Sequence, residues 1–181
     1  MALSDIPDGS RVLLDPSVFL LAITTRVSGT ADPSSSECYW LLQRCRTQAI
    51  QGIVSTISLT RLWKQLEAIA LLKTETDQDE AVHQTIVKGV PSGVDQFDFA
   101  GRVLELATSS LCVATIERQD FSRAIELTRG LYFEIDSALS VAAVEREYGA
   151  SFAVATATEN FDHVDRAGRC QFEVFRAGDV A

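Results

Sequence analysis

Short apolar runs alternate with stretches of helical periodicity along this 181-residue chain, and that alternation restricts its fold more than any other feature. The apolar runs are at 11–14, 53–56, 111–115, 152–156 and 172–175. Each run is too short for a stable helix and is typical of a buried parallel strand. Apolar residues at helical spacing predict helices over 18–23, 35–50, 121–130 and 136–148, and Ser58 is expected to cap a further helix. This order predicts a three-layer α/β/α sandwich on a mainly parallel central sheet.

The composition is that of one globular domain over residues 1–181, with 46% hydrophobic and 23% charged residues. The apolar runs are far shorter than a bilayer span, and the N-terminus lacks the basic and apolar regions of a signal peptide, so a cytoplasmic protein with no membrane segment is expected. The net charge of −9 argues against non-specific binding of long nucleic acid. An acidic body suits a carboxylate cluster around a metal, or a basic partner.

Asp15 is the first residue to consider for chemistry because it ends the first predicted strand. In open α/β sheets, ligands bind at the carboxyl ends of the strands. The sequence Asp15-Pro16 is also an ordinary helix start, with Asp15 as N-cap and Pro16 at the first helical position. Both interpretations stay open at this point.

The cysteines and tryptophans are expected in the core. Cys38 and Cys45 lie at helical spacing among apolar neighbours, and no CxxC pair is present, so a zinc site or a disulfide framework is not predicted. Trp40 and Trp63 also lie among apolar helical positions. Phosphate-binding glycine motifs, HExxH and GxSxG are missing from the sequence, which removes several enzyme classes.

Four segments in order resemble one known family. They are Val12-Leu13-Leu14-Asp15-Pro16-Ser17, the run 53–58, the run 134–143 and the run 152–162. Together they are similar to a PIN domain, the fold of the VapC-type toxin ribonucleases. The resemblance spans most of the chain, but residues 74–108 are longer than the toxins need and are expected to form a family-atypical helical insertion. It implies Mg²⁺- or Mn²⁺-dependent hydrolysis of RNA by carboxylates from several strand ends. It also implies an antitoxin-like protein partner or RNA, and a homodimer.

The acidic positions of the family are only partly kept. Asp15 matches the first acid, and Ser17 matches the hydroxyl residue that accompanies it. The second acid would lie three residues after Ser58, where this chain has Arg61. An arginine cannot ligate a cation, and beside Asp15 it is expected to exclude a metal and to pair with that carboxylate itself.

The third and fourth positions also depart from the family. Ser137 occupies the third acid's place and Asp136 stands one residue earlier, so Asp136 either serves as a ligand or is only the N-cap. Thr158, two residues after Thr156, occupies the fourth, with Glu159, Asn160 and Asp162 nearby.

The predicted site therefore has two candidate catalytic or metal-binding residues, Asp15 and Asp136. The residues expected to line it or to contact substrate are Ser17, Arg61, Ser137, Thr156, Thr158 and Asn160. The first hypothesis is a degenerate nuclease centre in a protein that binds a partner or RNA. The alternative is an active Mg²⁺/Mn²⁺-dependent endoribonuclease of the VapC type, and an unrelated small-ligand domain is a third possibility.

Overall fold

A computed structural model of the chain describes residues 1–28, 33–70, 101, 104–105, 108–131, 134–158, 161 and 172–178. The described residues form a five-stranded parallel sheet with the order β3-β2-β1-β4-β5. The strands are β1 Arg11–Leu14, β2 Gln51–Ser55, β3 Cys112–Ala114, β4 Ala153–Thr156 and β5 Glu173–Arg176. The central strand β1 has β2 on one side and β4 on the other, since Val12 pairs with both Gly52 and Ala153.

Five helices with defined bounds and a short 3₁₀ turn at Leu3–Asp5 accompany the sheet in the described part of the chain. The helices are α1 Pro16–Ser28, α2 Pro33–Arg46, α3 Thr56–Ala70, α4 Asp120–Leu131 and α5 Ile135–Tyr148. The first three pack on one face of the sheet, and α4 and α5 pack on the other. The predicted three-layer α/β/α sandwich is confirmed, and its sheet is entirely parallel among the described strands.

Apart from the first residues of β1 and β2, the strands β1, β2 and β4 are buried on both faces, which explains their mostly apolar sequences. Successive residues of β1 point to opposite sides, so Val12 and Leu14 belong to the core under α1 to α3, whereas Leu13 belongs to the core under α4 and α5. The residues of β4 alternate in the same way, with Ala153 and Ala155 on the first side. Two cores therefore hold β1 in the middle of the molecule and fix where its carboxyl end lies.

Several predicted boundaries differ from the structure. The helix expected over 35–50 runs over Pro33–Arg46, because Pro33 occupies the first helical position, so the predicted loop over 29–36 is wrong from residue 33. Ser58 is the third residue of α3 and does not cap it. The predicted end of α5 is confirmed at Gly149, whose φ of 82° suits glycine.

The expected burial of the tryptophans is wrong. Trp40 is 65% exposed and Trp63 is 37% exposed, because Cys38, Leu41 and Cys45 take the inner face of α2. Cys38 and Cys45 are buried, as predicted. Most of the expected insertion at 74–108 lies outside the described residues. None of the described helices is long and apolar enough to cross a bilayer.

Candidate functional site at the carboxyl edge of the sheet

A small cavity lies where the carboxyl ends of β1 and β2 meet the first turns of α3 and α5. Its described lining residues are Leu13, Leu14, Asp15, Pro16, Ser58, Arg61, Asp136, Ser137, Ser140 and Phe161. Parallel strands end at one sheet edge, and β1 and β2 lead almost directly into α1 and α3, so three helices begin around this cavity. Its volume of about 10 Å³ is at the lower limit for one ordered water.

Asp15 is buried at the end of β1, with 7% of its surface exposed. Its Oδ1 accepts hydrogen bonds from the backbone N–H and the hydroxyl of Ser17. The first of these bonds has N-cap geometry for α1, which supports the interpretation of Asp15 as a helix cap, and Asp15 also lines the cavity. Ser17 Oγ in turn accepts the N–H of Ala157 at 2.9 Å, which links the ends of β1 and β4.

The charge of Asp15 is only partly compensated. Burial raises the pKa of the Asp15 carboxyl above its ordinary value of 3.8, because desolvation disfavours the ionised form. The hydrogen bonds from Ser17 and the positive charge of Arg61 oppose this rise in pKa, and the negative charge of Glu134 adds to it. Arg61 and Glu134 therefore act on the pKa of Asp15 in opposite directions.

Arg61 lines the cavity from the second turn of α3. Its Nη1 donates to Glu134 Oε2 at 3.1 Å, and the two side chains are 33% and 57% exposed. The prediction that Arg61 pairs directly with Asp15 is wrong, since the ion pair among the described residues is with Glu134. The physical reason is the position of Glu134, which directly precedes α5 and has a more exposed carboxylate than Asp15. An ion pair with Glu134 therefore requires less desolvation of the two charges than an ion pair with the buried Asp15 would.

Asp136 and Ser137 both lie in the first turn of α5 and both line the cavity. The helix begins at Ile135 with Glu134 as its N-cap residue, so the alternative in which Asp136 is the N-cap is wrong. Asp136 is half-buried and Ser137 is buried. The structure therefore brings four of the predicted site residues to one cavity: Asp15, Arg61, Asp136 and Ser137.

The remaining predicted residues lie elsewhere or outside the described part of the chain. Thr156 ends β4 and is fully buried, and its Oγ1 accepts the N–H of Thr158 at 3.1 Å. Neither threonine is among the described residues that line the cavity. Asn160, with its neighbours Glu159 and Asp162, lies outside the described residues.

Three buried serines at the cavity, of which Ser58 and Ser140 line it, were not predicted from the sequence as a group. Ser55 Oγ lies 2.9 Å from Ser58 Oγ and 2.7 Å from Ser140 Oγ, and it accepts the N–H of Ser58 at 3.0 Å. Ser55 is thus the residue that caps α3. A serine directly before the helix start is the signal that would have found it. Ser140 carries no such signal, because its contact spans 85 residues.

The described residues at this cavity do not fit a divalent metal. Mg²⁺ and Mn²⁺ require several oxygen ligands, and the described residues contain no group of three or more His, Cys, Asp or Glu side chains placed to hold an ion. The cavity offers two carboxylates, Asp15 and Asp136, with the guanidinium of Arg61 beside them. The positive charge of Arg61 in the cavity wall repels a metal cation.

No protein-family model matches the sequence, and no curated protein is detectably similar to it. Among solved structures, VapBC2 from Rickettsia felis bound to a DNA fragment from its promoter contains a similar chain. That match has a TM-score of 0.55 and 12% identity, and it covers 91% of this chain and 98% of the other. FitAcB from Neisseria gonorrhoeae matches with a TM-score of 0.47 and 13% identity over 93% of this chain and 99% of the other. On the strength of the VapBC2 match and of its own parallel sheet, this chain has the PIN-domain fold of the VapC type.

Proposed function

We propose that this PIN-fold protein does not cleave RNA and acts as a binding module for a protein partner. The observation that carries the proposal is the guanidinium of Arg61 in the wall of the cavity that also holds Asp15 and Asp136. Hydrolysis of a phosphodiester by a metal requires an ion that activates water and neutralises charge on the transition state. Arg61 can donate to a phosphate, but it cannot generate hydroxide from water, so the described lining of this cavity does not supply a metal-bound hydroxide as the nucleophile.

The charge and surface of the chain favour a protein over RNA as the partner. A net charge of −9 opposes contacts with phosphates, which supply most of the affinity for nucleic acid. Several large apolar side chains on the helices are exposed, among them Trp40 on α2 and both Phe121 and Ile125 on α4. Exposed aromatic residues are enriched at protein interfaces. VapBC2, one of the solved structures with a similar chain, is such an assembly, which favours a small antitoxin-like protein as the partner. Homodimer formation stays a prediction.

The test of the catalytic half of the proposal is a ribonuclease assay on the purified full chain. Structured and single-stranded RNA is incubated with protein in Mg²⁺, in Mn²⁺ and in EDTA, with Asp15→Asn as the matched variant because it keeps the shape of the side chain. We expect cleavage to equal the no-protein background under all conditions. Cleavage that EDTA stops and that Asp15→Asn abolishes would refute the proposal and establish the alternative, a metal-dependent endoribonuclease of the VapC type.

The test of the binding half uses co-expression with the product of a small reading frame adjacent to the gene. We expect the two chains to co-purify and Trp40→Ser to weaken the complex, since Trp40 is the most exposed large apolar side chain described on the helices. Arg118→Ser, which changes an exposed residue between β3 and α4, is the control and should leave the complex intact. Binding of RNA with no binding of protein would overturn this half of the proposal.

A further inference from the structure

We propose that Arg61, held in place by Glu134, is a built-in cation of the cavity and takes the position that a divalent metal would otherwise need. This inference rests on the proposed loss of hydrolysis and deepens it, because it says what stabilises the remaining carboxylates. It also assigns Glu134 a role as the positioning residue for Arg61.

The geometry places the positive charge where the carboxylates converge. Arg61 enters the cavity from α3, while Asp15 enters from the end of β1 and Asp136 from the first turn of α5. The guanidinium is tied to Glu134 at 3.1 Å. That contact anchors one end of a long side chain that has two thirds of its surface buried. Arg61 is therefore a fixed charge at this site, in contrast to a freely rotating surface arginine.

The helix starts around the cavity explain why Arg61 needs an acidic partner of its own. The N-termini of α1, α3 and α5 carry partial positive charge, which favours carboxylates such as Asp15 and Asp136 and disfavours a cation. Glu134, directly before α5, adds a negative charge beside the guanidinium. The described cavity and its rim then carry three carboxylates and one guanidinium, so a cation remains electrostatically favourable there and Arg61 supplies it.

The direct test is to return an acid to this position with Arg61→Glu. The variant places a third carboxylate in a cavity that already holds Asp15 and Asp136. We expect it to gain a Mn²⁺ site, seen as loss of the free-ion signal in electron paramagnetic resonance. Its melting temperature should rise by about 3 to 6 °C when Mn²⁺ is present at about ten times its Kd, relative to EDTA.

The control is Lys64→Glu, which makes the same charge change one turn further along α3 at an exposed residue. Neither it nor the unmodified protein should bind Mn²⁺ or shift by more than about 1 °C under the same conditions. The inference is overturned if Arg61→Glu folds and gains no Mn²⁺ site. It is equally overturned if Lys64→Glu gains the same affinity, because general acidity would then explain the binding.

A second experiment keeps the inference testable if Arg61→Glu does not fold. Arg61→Gln removes the charge but keeps a polar side chain, and it should lower the melting temperature because it leaves Asp15 uncompensated. Adding Asp15→Asn to Arg61→Gln should recover part of that loss. Strictly additive effects of the two substitutions would show that the two charges are not coupled and would overturn the inference.

The two proposals fail in different ways. If the unmodified protein cleaves RNA in an EDTA-sensitive manner, the proposed function fails. If the unmodified protein is inactive and binds no Mn²⁺, but Arg61→Glu also binds none and Arg61 shows no coupling to Asp15, then only the built-in cation is refuted.

Discussion

Replacing Ser55 by alanine is expected to weaken the junction between β2 and the helix that carries Arg61. Ser55 is fully buried, and its hydroxyl accepts the Ser58 N–H at 3.0 Å and lies 2.7 Å from Ser140 Oγ. Loss of a helix cap costs about 1 kcal/mol, and loss of a buried hydrogen bond costs about another 1 kcal/mol. We therefore expect the free energy of unfolding to fall by about 2 kcal/mol, and the melting temperature to fall by about 4 to 8 °C.

Urea unfolding followed by circular dichroism measures this change, with Ser140→Ala as the comparison. Ser140→Ala removes the same contact with Ser55 but leaves the cap of α3 intact, so it should cost about 1 kcal/mol. The double variant should be less destabilised than the sum of the two single variants, because the contact is lost only once. If Ser55→Ala costs no more than Ser140→Ala, the capping role of Ser55 is wrong.

Three further predictions concern Gly52 in the sheet, Asp15 in the site, and the ion pair between Asp120 of α4 and Arg146 of α5. Gly52→Ala should cost about 1 to 3 kcal/mol in urea unfolding, since a Cβ there would lie 2.5 Å from Leu111 Cδ2; an unchanged midpoint would contradict this. Asp15→Asn should be more stable than the unmodified protein at neutral pH, because burial raises the pKa of Asp15 and makes its ionisation in the folded state unfavourable. That advantage should shrink as the pH falls through the raised pKa, and it should vanish below the ordinary value of 3.8, where the carboxyl is protonated in both the folded and the unfolded protein. An advantage that grows on acidification would show that the pKa of Asp15 is lowered on folding. Asp120→Ala should cost about 2 to 3 kcal/mol by thermal unfolding, because Asp120 is 2% exposed and accepts from Arg146 Nε at 2.9 Å; a cost below about 0.5 kcal/mol would place that pair among ordinary surface ion pairs.

The sequence was sufficient to predict the layers of the fold because buried parallel strands have a recognisable composition. Val12, Leu13 and Leu14 are all apolar since both faces of β1 are covered, and the charged residue that follows marks the strand's end. The start of α2 was predicted wrongly because the serines after Pro33 favour a loop locally. Packing of Cys38 and Leu41 into the core overrides that local preference.

The site could be predicted as a set of positions but not as a set of contacts. Asp15 was expected at this edge because it ends a predicted strand, Arg61 and Asp136 were expected beside it from the resemblance to the PIN domain, and all three line one cavity. The partner of Arg61 could not be predicted, because the choice between Asp15 and Glu134 depends on how deeply each carboxylate is buried. That depth is set by the packing of α5 on the sheet, which no local pattern in the sequence encodes.

The position of β1 in the centre of the sheet has a consequence for the order of folding. Val12 pairs with Gly52 and also with Ala153, so one neighbour of this strand is synthesised early and the other only after most of the chain has left the ribosome. Contacts between such distant residues form slowly because a long loop must close first. During translation, one edge of the apolar strand β1 therefore stays unpaired until β4 has been synthesised. We expect chaperones to bind the N-terminal half in that interval.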